Sequence, residues 1–284
     1  MNSFIFGFHP RGNSLEGYLA SRGYEVWSVD LRGQGRAIRD HGSAEFGLED
    51  LAVHDLGCAI AHVLRRTEAQ TKTIDMLGCS LGAALALGHL AVERNAPVHS
   101  LVTVGGLVRW VDLHPLVRVA FSSPWLVERV RVSNSRQLAR FALPALARIA
   151  PSILSAYLTP KSSDISRADL LVQTVEDPHP RVNADIARWI QSRDLILRGV
   201  NVSQAMGNMA HPLFCVVGKQ DGIVPLRTAR AVYDLMGSSR KTLHEVGDEV
   251  MPMAHADLFL AHGAEERVFE PIAAFLEAHK PSYD

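Results

Sequence analysis

The chain of 284 residues contains few cysteines, and they lack the spacing of a metal site or a disulfide framework. Cys58, Cys79 and Cys215 all lie within apolar stretches, and neither C-x-x-C nor H-E-x-x-H occurs. A sparse, odd-numbered set of this kind predicts reduced thiols, as in a cytoplasmic protein. We therefore expect no disulfide, no bound metal and no cofactor.

The sequence also lacks an excess of charge of one sign and a long hydrophobic run. The formal net charge is −1, whereas a nucleic-acid-binding protein normally carries a basic excess, so we expect no nucleic-acid partner. The longest candidate for a transmembrane segment, residues 141–158, is interrupted by Pro144, Arg148 and Pro151. The N-terminal MNSFIFGFHPRG lacks the basic start and the apolar length of a signal peptide. These absences leave a globular protein with a sizeable core, which 47% hydrophobic residues can supply.

Strand and helix patterns alternate over both ends of the sequence. The predicted strands cover residues 24–30, 73–77, 98–104, 212–217 and 240–246, and the predicted helices cover 14–22, 48–66, 83–92, 226–235 and 265–279. Such alternation predicts an α/β fold, with a mostly parallel sheet and helices on both of its faces.

The alternation stops between residues 107 and 205. Helical patterns there are broken by several prolines, among them Pro115, Pro144 and Pro160. This change predicts a helical cap inserted into the α/β core. We assign residues 1–106 and 206–284 to the core and residues 107–205 to the cap.

The stretch Thr73–Gly82 has the pattern strand, G-x-S-x-G, helix, which is typical of a nucleophile elbow. The turn is tight enough to hold Ser80 in a strained conformation with its hydroxyl accessible. We expect Gly78 and Gly82 to be required because side chains there would collide with the neighbouring strand and helix. The N–H of Leu81 then lies at a helix N-terminus, where an oxyanion would form.

Asp221 and His255 are the predicted partners of Ser80. A serine hydroxyl needs a base, usually histidine, and the histidine needs a carboxylate that holds its tautomer. The order serine, aspartate, histidine is the one expected for this arrangement, and each residue follows a predicted strand. Among the rival acids, Asp248 lies too near the histidine in the same loop, and Asp257 is expected to cap the adjoining helix.

The sequence resembles the α/β-hydrolase superfamily of serine esterases and lipases. The matching pieces are YEVWSVDLRGQGRA (24–37), LGCSLG (77–82), DGIVP (221–225) and HADLFL (255–260). The stretch SLEGYLASRGYEVWSVDLRGQG (14–35) is most similar to the branch that contains polyhydroxyalkanoate synthases, whose nucleophile is cysteine. Here that position is Ser80, which favours hydrolysis over polymerisation. We interpret Cys79 as a small buried residue within the elbow rather than the nucleophile.

The resemblance also implies a strand and oxyanion loop before the first helix. Phe4–Phe8 is either a shortened form of that strand or part of the loop that follows it. We favour the loop, in which case the N-terminal strand is missing and an edge of the sheet is unpaired.

The predicted function is hydrolysis of a carboxylic ester, with a small-molecule acyl ester as substrate and an acyl-enzyme on Ser80. Two alternatives remain open. An acyltransferase would use the same triad with another acceptor in place of water, and a non-catalytic protein would use the fold for binding.

Overall fold

The structure is a computed structural model. It describes residues 3–35, 37, 45–129, 154–163, 173, 177 and 179–281, without the side chain of residue 116. The strands are β1 (Ile74–Cys79), β2 (Val98–Val104), β3 (Ile196–Leu197), β4 (Val200–Asn201), β5 (Leu213–Gly218) and β6 (Lys241–Val246). The helices are α1 (Leu15–Ser21), α2 (Leu56–Arg66), α3 (Leu81–Val92), α4 (Pro115–Ala120), α5 (Pro124–Arg129), α6 (Pro180–Ser192), α7 (Val202–Ala205), α8 (Leu226–Leu235), α9 (Asp257–Leu260) and α10 (Glu270–Ala278).

The main sheet of the described chain has the strand order β1-β2-β5-β6, and every pairing in it is parallel. Its strands carry apolar side chains on both faces, as a doubly covered sheet requires. Cys215 and Val217 of β5 pack on one face with α2, α3 and α8, while Phe214 and Val216 pack on the other face with α1 and α10. The predicted fold class, a mostly parallel sheet with helices on both faces, is confirmed.

The helices form where local sequence signals place them. Ser14 caps α1, because its Oγ accepts from Gly17 N–H at 3.1 Å, and Gly23 ends it with a φ of 86°. α2 is continuous with a preceding π-helical stretch, Asp50–Asp55, so the predicted helix over 48–66 is present with one irregular part. A second π-helical stretch, Glu265–Phe269, precedes α10 in the same way.

The predicted strand Tyr24–Asp30 is wrong. Its alternation does bury Tyr24 and Val26 against the core, whereas Trp27 is 41% exposed. A strand also needs a hydrogen-bonded neighbour, and in the described ranges no segment pairs with these residues or with the outer edge of β1. Side chains hold the segment instead, for example Glu25, which accepts from Thr67 Oγ1 at 2.7 Å.

The N-terminal residues also form no strand. Ser3–Ile5 makes a 3₁₀ turn, with Ile5 buried and Phe6 edge-on to Phe259 at a centroid distance of 5.4 Å. Over the part of the chain that the structure describes, no strand therefore precedes β1. This agrees with the interpretation of Phe4–Phe8 as a loop.

Much of the predicted cap, residues 130–153 and most of 164–178, lies outside the described residues. The described parts contain α4, α5 and α6, together with the short antiparallel pair β3-β4, which the sequence did not indicate. An ion pair joins Arg109 Nε to Asp194 Oδ1 at 2.6 Å, and it ties the chain after β2 to the start of this hairpin. No helix in the described ranges is long and apolar enough to cross a membrane.

Candidate active site

Ser80 joins β1 to α3 in a backbone conformation that few residues other than glycine adopt, with φ 53° and ψ −122°. Its N–H donates to the Val104 carbonyl at 3.1 Å, which fixes the turn to the end of β2. Ser80 is half-buried. Leu81 is the first residue of α3, and N–H groups in a first helical turn have no acceptor within the helix. The turn therefore presents a hydroxyl and a free backbone donor side by side.

The two glycines of the turn differ in how closely they are packed. A Cβ on Gly78 would lie 2.7 Å from both the N and the Cα of Ala83, which are backbone atoms and cannot move aside. A Cβ on Gly82 would meet nothing within 4 Å. The predicted steric requirement therefore holds for Gly78 and is wrong for Gly82, because the first position faces α3 and the second faces open space.

Asp221 and His255 are brought together by the loops after β5 and β6. His255 Nδ1 lies 2.7 Å from Asp221 Oδ2, and the two side chains are each 1% exposed. The other carboxylate oxygen, Oδ1, accepts from the N–H groups of Ile223 and Val224 at 2.9 and 2.8 Å. Because an ionised carboxylate only accepts, this contact requires a proton on Nδ1, and in the neutral imidazole Nε2 is then the acceptor.

The His255 loop is held against the end of β5 by two hydrogen bonds between Gln220 and Met253. Gln220 N–H donates to the Met253 carbonyl at 3.1 Å, and Gln220 Oε1 accepts from Met253 N–H at 2.9 Å. A Cβ on Gly218 would lie only 2.6 Å from that same carbonyl oxygen. This close approach places the imidazole beside the carboxylate, and it depends on glycine at the end of the strand.

His255 lies at the same end of the sheet as Ser80. A Cβ on Gly105, the residue after Val104, would lie 3.2 Å from the imidazole ring. His255 Nε2 is buried, and no group in the described chain hydrogen-bonds to it, so the Ser80–His255 hydrogen bond is not formed here. Such bonds are commonly long in structures without a substrate and tighten when one binds.

Cys79 is buried beside Ser80, and burial raises the pKa of its thiol to about 12. A thiol of this kind stays protonated at neutral pH and is a poor nucleophile. All three cysteines of the chain are free. No group of three or more His, Cys, Asp or Glu side chains within the described residues could hold a metal ion.

The sequence predicted that Asp257 caps the adjoining helix, and this prediction is wrong. Its carboxylate is fully buried and binds residues of the 154–163 segment, including Thr159 N–H at 2.9 Å. Sequence reasoning missed this contact because it joins residues 98 apart. The available signal was the spacing H-A-D, which places a second acid beside the histidine.

Comparison with known proteins identifies the family of the chain. A family model described as "Serine aminopeptidase, S33" matches residues 11–248, which is most of the chain. The chain belongs to this family of α/β-hydrolases. The predicted superfamily is thereby confirmed, whereas the closer likeness to polyhydroxyalkanoate synthases stays a prediction.

Individual relatives agree with an esterase- or hydrolase-type α/β-hydrolase. A pimeloyl-[acyl-carrier protein] methyl ester esterase from Aliivibrio fischeri is 26% identical over 250 residues, covering 85% of this chain and 82% of that protein. A meta-cleavage product hydrolase from Pseudomonas fluorescens has a TM-score of 0.61 at 16% identity, covering 93% of this chain and 84% of that one. A monoacylglycerol lipase from Paleococcus ferrophilus has a TM-score of 0.59 at 16% identity, covering 97% of this chain and 92% of that one. At such identities the two structures establish the fold alone.

Proposed function

We propose that this α/β-hydrolase cleaves a carboxylic ester through an acyl-enzyme on Ser80. The observation that carries the proposal is the buried pairing of His255 Nδ1 with Asp221 Oδ2 at 2.7 Å, at the same end of the sheet as the strained Ser80 turn. A strained backbone conformation destabilises a fold, and burial of an imidazole–carboxylate pair costs desolvation. Their coincidence at one site favours a catalytic role.

In the first half of the reaction, Ser80 Oγ attacks the ester carbonyl carbon and its proton passes to His255 Nε2. The carbonyl oxygen becomes an oxyanion near the Leu81 N–H. Collapse of the tetrahedral intermediate breaks the bond to the alkoxide, which takes the proton from Nε2 and leaves as an alcohol. Asp221 stabilises the imidazolium that forms between these two proton transfers.

In the second half, water attacks the acyl-enzyme and gives its proton to Nε2. The same oxyanion position stabilises the second intermediate, and Ser80 Oγ leaves with the proton from His255. The products are a carboxylic acid and the restored serine. An acyltransferase would differ only in the acceptor that replaces water, and no contact in the described chain favours that alternative.

Curated relatives support the proposed substrate class. The Aliivibrio fischeri relative is named for the methyl ester of a pimeloyl group on acyl-carrier protein, which supports an acyl ester as the substrate here. We further propose that residues 107–205 form a cap over the site. Its described 154–163 segment lies next to the imidazole, with Tyr157 and His255 at a ring-centroid distance of 6.1 Å.

Labelling with a fluorophosphonate probe tests the proposal. The wild-type chain should be labelled at one serine, and Ser80→Ala should abolish labelling while the circular dichroism spectrum and the melting temperature stay unchanged. Ser100→Ala is the matched control, because this serine is buried in the neighbouring strand β2 and its hydroxyl donates to Asp75, outside the proposed site. Labelling should persist in that variant.

A folded wild-type chain that reacts neither with the probe nor with p-nitrophenyl acetate would refute the proposal. It would favour a binding role for the fold. Labelling that persists in Ser80→Ala would place the nucleophile at another residue.

A further inference from the structure

Two consecutive carbonyls of the 154–163 segment join the loops on which the proposed function depends. Gly222 N–H donates to the Ala156 carbonyl at 2.9 Å, and Ala256 N–H donates to the Tyr157 carbonyl at 2.8 Å. In sequence, the two donors directly follow the aspartate and the histidine of the buried pair. The segment therefore bridges the two loops through backbone hydrogen bonds.

A single carboxylate, that of Asp257, fastens this segment. Asp257 Oδ2 accepts from Thr159 N–H at 2.9 Å, from Thr159 Oγ1 at 2.6 Å and from Ala254 N–H at 2.9 Å. Its Oδ1 accepts from the Ser163 hydroxyl. Two of the residues that donate to it belong to the segment, and the third belongs to the histidine loop.

Because Asp257 is close to His255 in sequence, these contacts also restrain the backbone at the histidine. Asp257 lies two residues after His255, and Thr159 lies two residues after Tyr157. The carboxylate and the Ala256–Tyr157 hydrogen bond therefore clamp the same short stretches of chain at two neighbouring points. A second contact joins the same two stretches, because the Ser162 hydroxyl donates to the Pro252 carbonyl oxygen.

We propose that Asp257 is a positioning residue, which holds the 154–163 segment on both loops and thereby fixes His255 against Asp221. This inference rests on the proposed function for its effect on turnover. Its structural part, the fastening of the two loops, stands on the contacts alone.

The cost of this arrangement supports a specific role. Asp257 has no exposed surface, and burial raises the pKa of its carboxyl, although hydrogen bonds from Ser163 and Thr159 act in the opposite direction. A buried carboxylate is unfavourable unless its hydrogen bonds are all satisfied. An apolar residue would fill the space at less cost, but it would leave the donors of Thr159, Ala254 and Ser163 unpaired.

The test compares Asp257→Ala with the conservative Asp257→Asn. Alanine removes every acceptor, whereas asparagine keeps an oxygen for the donors at Oδ2 and places its amide against the Ser163 hydroxyl, which can accept. In Asp257→Ala we expect the amides of Gly222 and Ala256 to exchange with solvent at least about tenfold faster, while amides of β2 keep their wild-type rates. Asp257→Asn should restore most of the protection.

Turnover of p-nitrophenyl acetate provides the second readout. In Asp257→Ala, kcat should fall about 10²-fold, the usual cost of misplacing a reacting group by about 1 Å, with KM within about threefold of wild type. Because a loss of folded protein would also lower the apparent kcat at constant KM, kcat is calculated per folded molecule, with the folded fraction measured by circular dichroism. The matched control is Asp194→Ala, which removes the partner of Arg109 and should change neither kcat nor the two amide exchange rates.

The third readout, the NMR resonance of the His255 Nδ1 proton, does not depend on activity. It should be identified by its absence in His255→Ala, and it should broaden or disappear in Asp257→Ala. Unchanged exchange at Gly222 and Ala256, or an unchanged Nδ1 resonance, in a folded Asp257→Ala chain would overturn the inference. A wild-type chain without esterase activity would instead overturn the proposed function, and the exchange rates and the resonance would still decide the role of Asp257.

Discussion

Gly78→Ala should destabilise the fold and misplace Ser80 at the same time. The added Cβ would lie 2.7 Å from the backbone N and Cα of Ala83 and 2.8 Å from the carbonyl oxygen of Gly82. Non-bonded carbon atoms prefer a separation of about 3.5 Å or more. Because these neighbours are backbone atoms of α3, relief of the clash requires the helix to move by about 1 Å relative to β1.

The magnitude follows from that displacement. Overpacking of a well-packed core typically costs about 1–3 kcal/mol of unfolding free energy. At about 2–4 °C per kcal/mol for a chain of this size, the melting temperature should fall by about 2–12 °C. Ser80 is the residue between β1 and α3, so the same shift moves its Oγ, and the rate of fluorophosphonate labelling should fall about 10²-fold.

Gly82→Ala is the matched control for stability, because it adds the same methyl group two positions past the serine. Its Cβ would meet nothing within 4 Å, and alanine is favoured over glycine inside a helix by up to about 1 kcal/mol. Thermal unfolding should therefore show an unchanged or higher melting temperature. If Gly78→Ala melted at the wild-type temperature and labelled at the wild-type rate, the steric account of the elbow would be refuted.

Two further predictions concern the buried carboxylate and the buried thiols. Asp221→Asn should keep the circular dichroism spectrum of the wild type but lower kcat for p-nitrophenyl acetate by about 10³- to 10⁴-fold, because an amide does not fix the required imidazole tautomer; a loss below tenfold would contradict the role proposed for Asp221. Burial raises the pKa of Cys79 to about 12 and that of Cys215 to about 11. As the pH rises above about 9, these thiols therefore ionise in the unfolded chain while they stay protonated in the folded one. The free energy of unfolding should fall over this range. Urea unfolding between pH 8 and pH 10.5 measures this slope, which should be smaller in Cys215→Ala; an equal slope would show that Cys215 does not contribute.

The sequence predicted those parts of the fold that local patterns encode. β2 and α8 have the bounds that their apolar patterns indicate, and Ser14 caps α1 as its position before an amphipathic run suggests. The failure at Tyr24–Asp30 has a physical cause. Alternation predicts which side chains are buried, but pairing depends on a neighbouring strand, which a local pattern does not contain.

The candidate site divides in the same way. Ser80, Asp221 and His255 were predictable because each follows a strand, and parallel strands bring such positions to one edge of the sheet. The contact of Asp257 with Thr159 was not predictable, because the 154–163 segment has no periodic pattern that places it on those loops. The segment binds Asp257 through the hydroxyls of Thr159 and Ser163, and serine and threonine occur widely in loops. Only the three-dimensional structure shows what these two residues bind.

Close backbone approach at glycines is what gives the site its geometry. A Cβ on Gly218 would lie 2.6 Å from the Met253 carbonyl oxygen, and a Cβ on Gly222 would lie 2.5 Å from the Ala156 Cβ. The first approach seats the histidine loop on β5, and the second seats the 154–163 segment on the aspartate loop. Substituting either glycine adds no charge and removes no hydrogen-bonding side chain, yet it separates backbones that hold the imidazole and the carboxylate 2.7 Å apart. Loss of activity on such a substitution would therefore arise from displacement of His255 relative to Asp221 alone. This distinguishes the role of the backbone scaffold from that of the catalytic side chains.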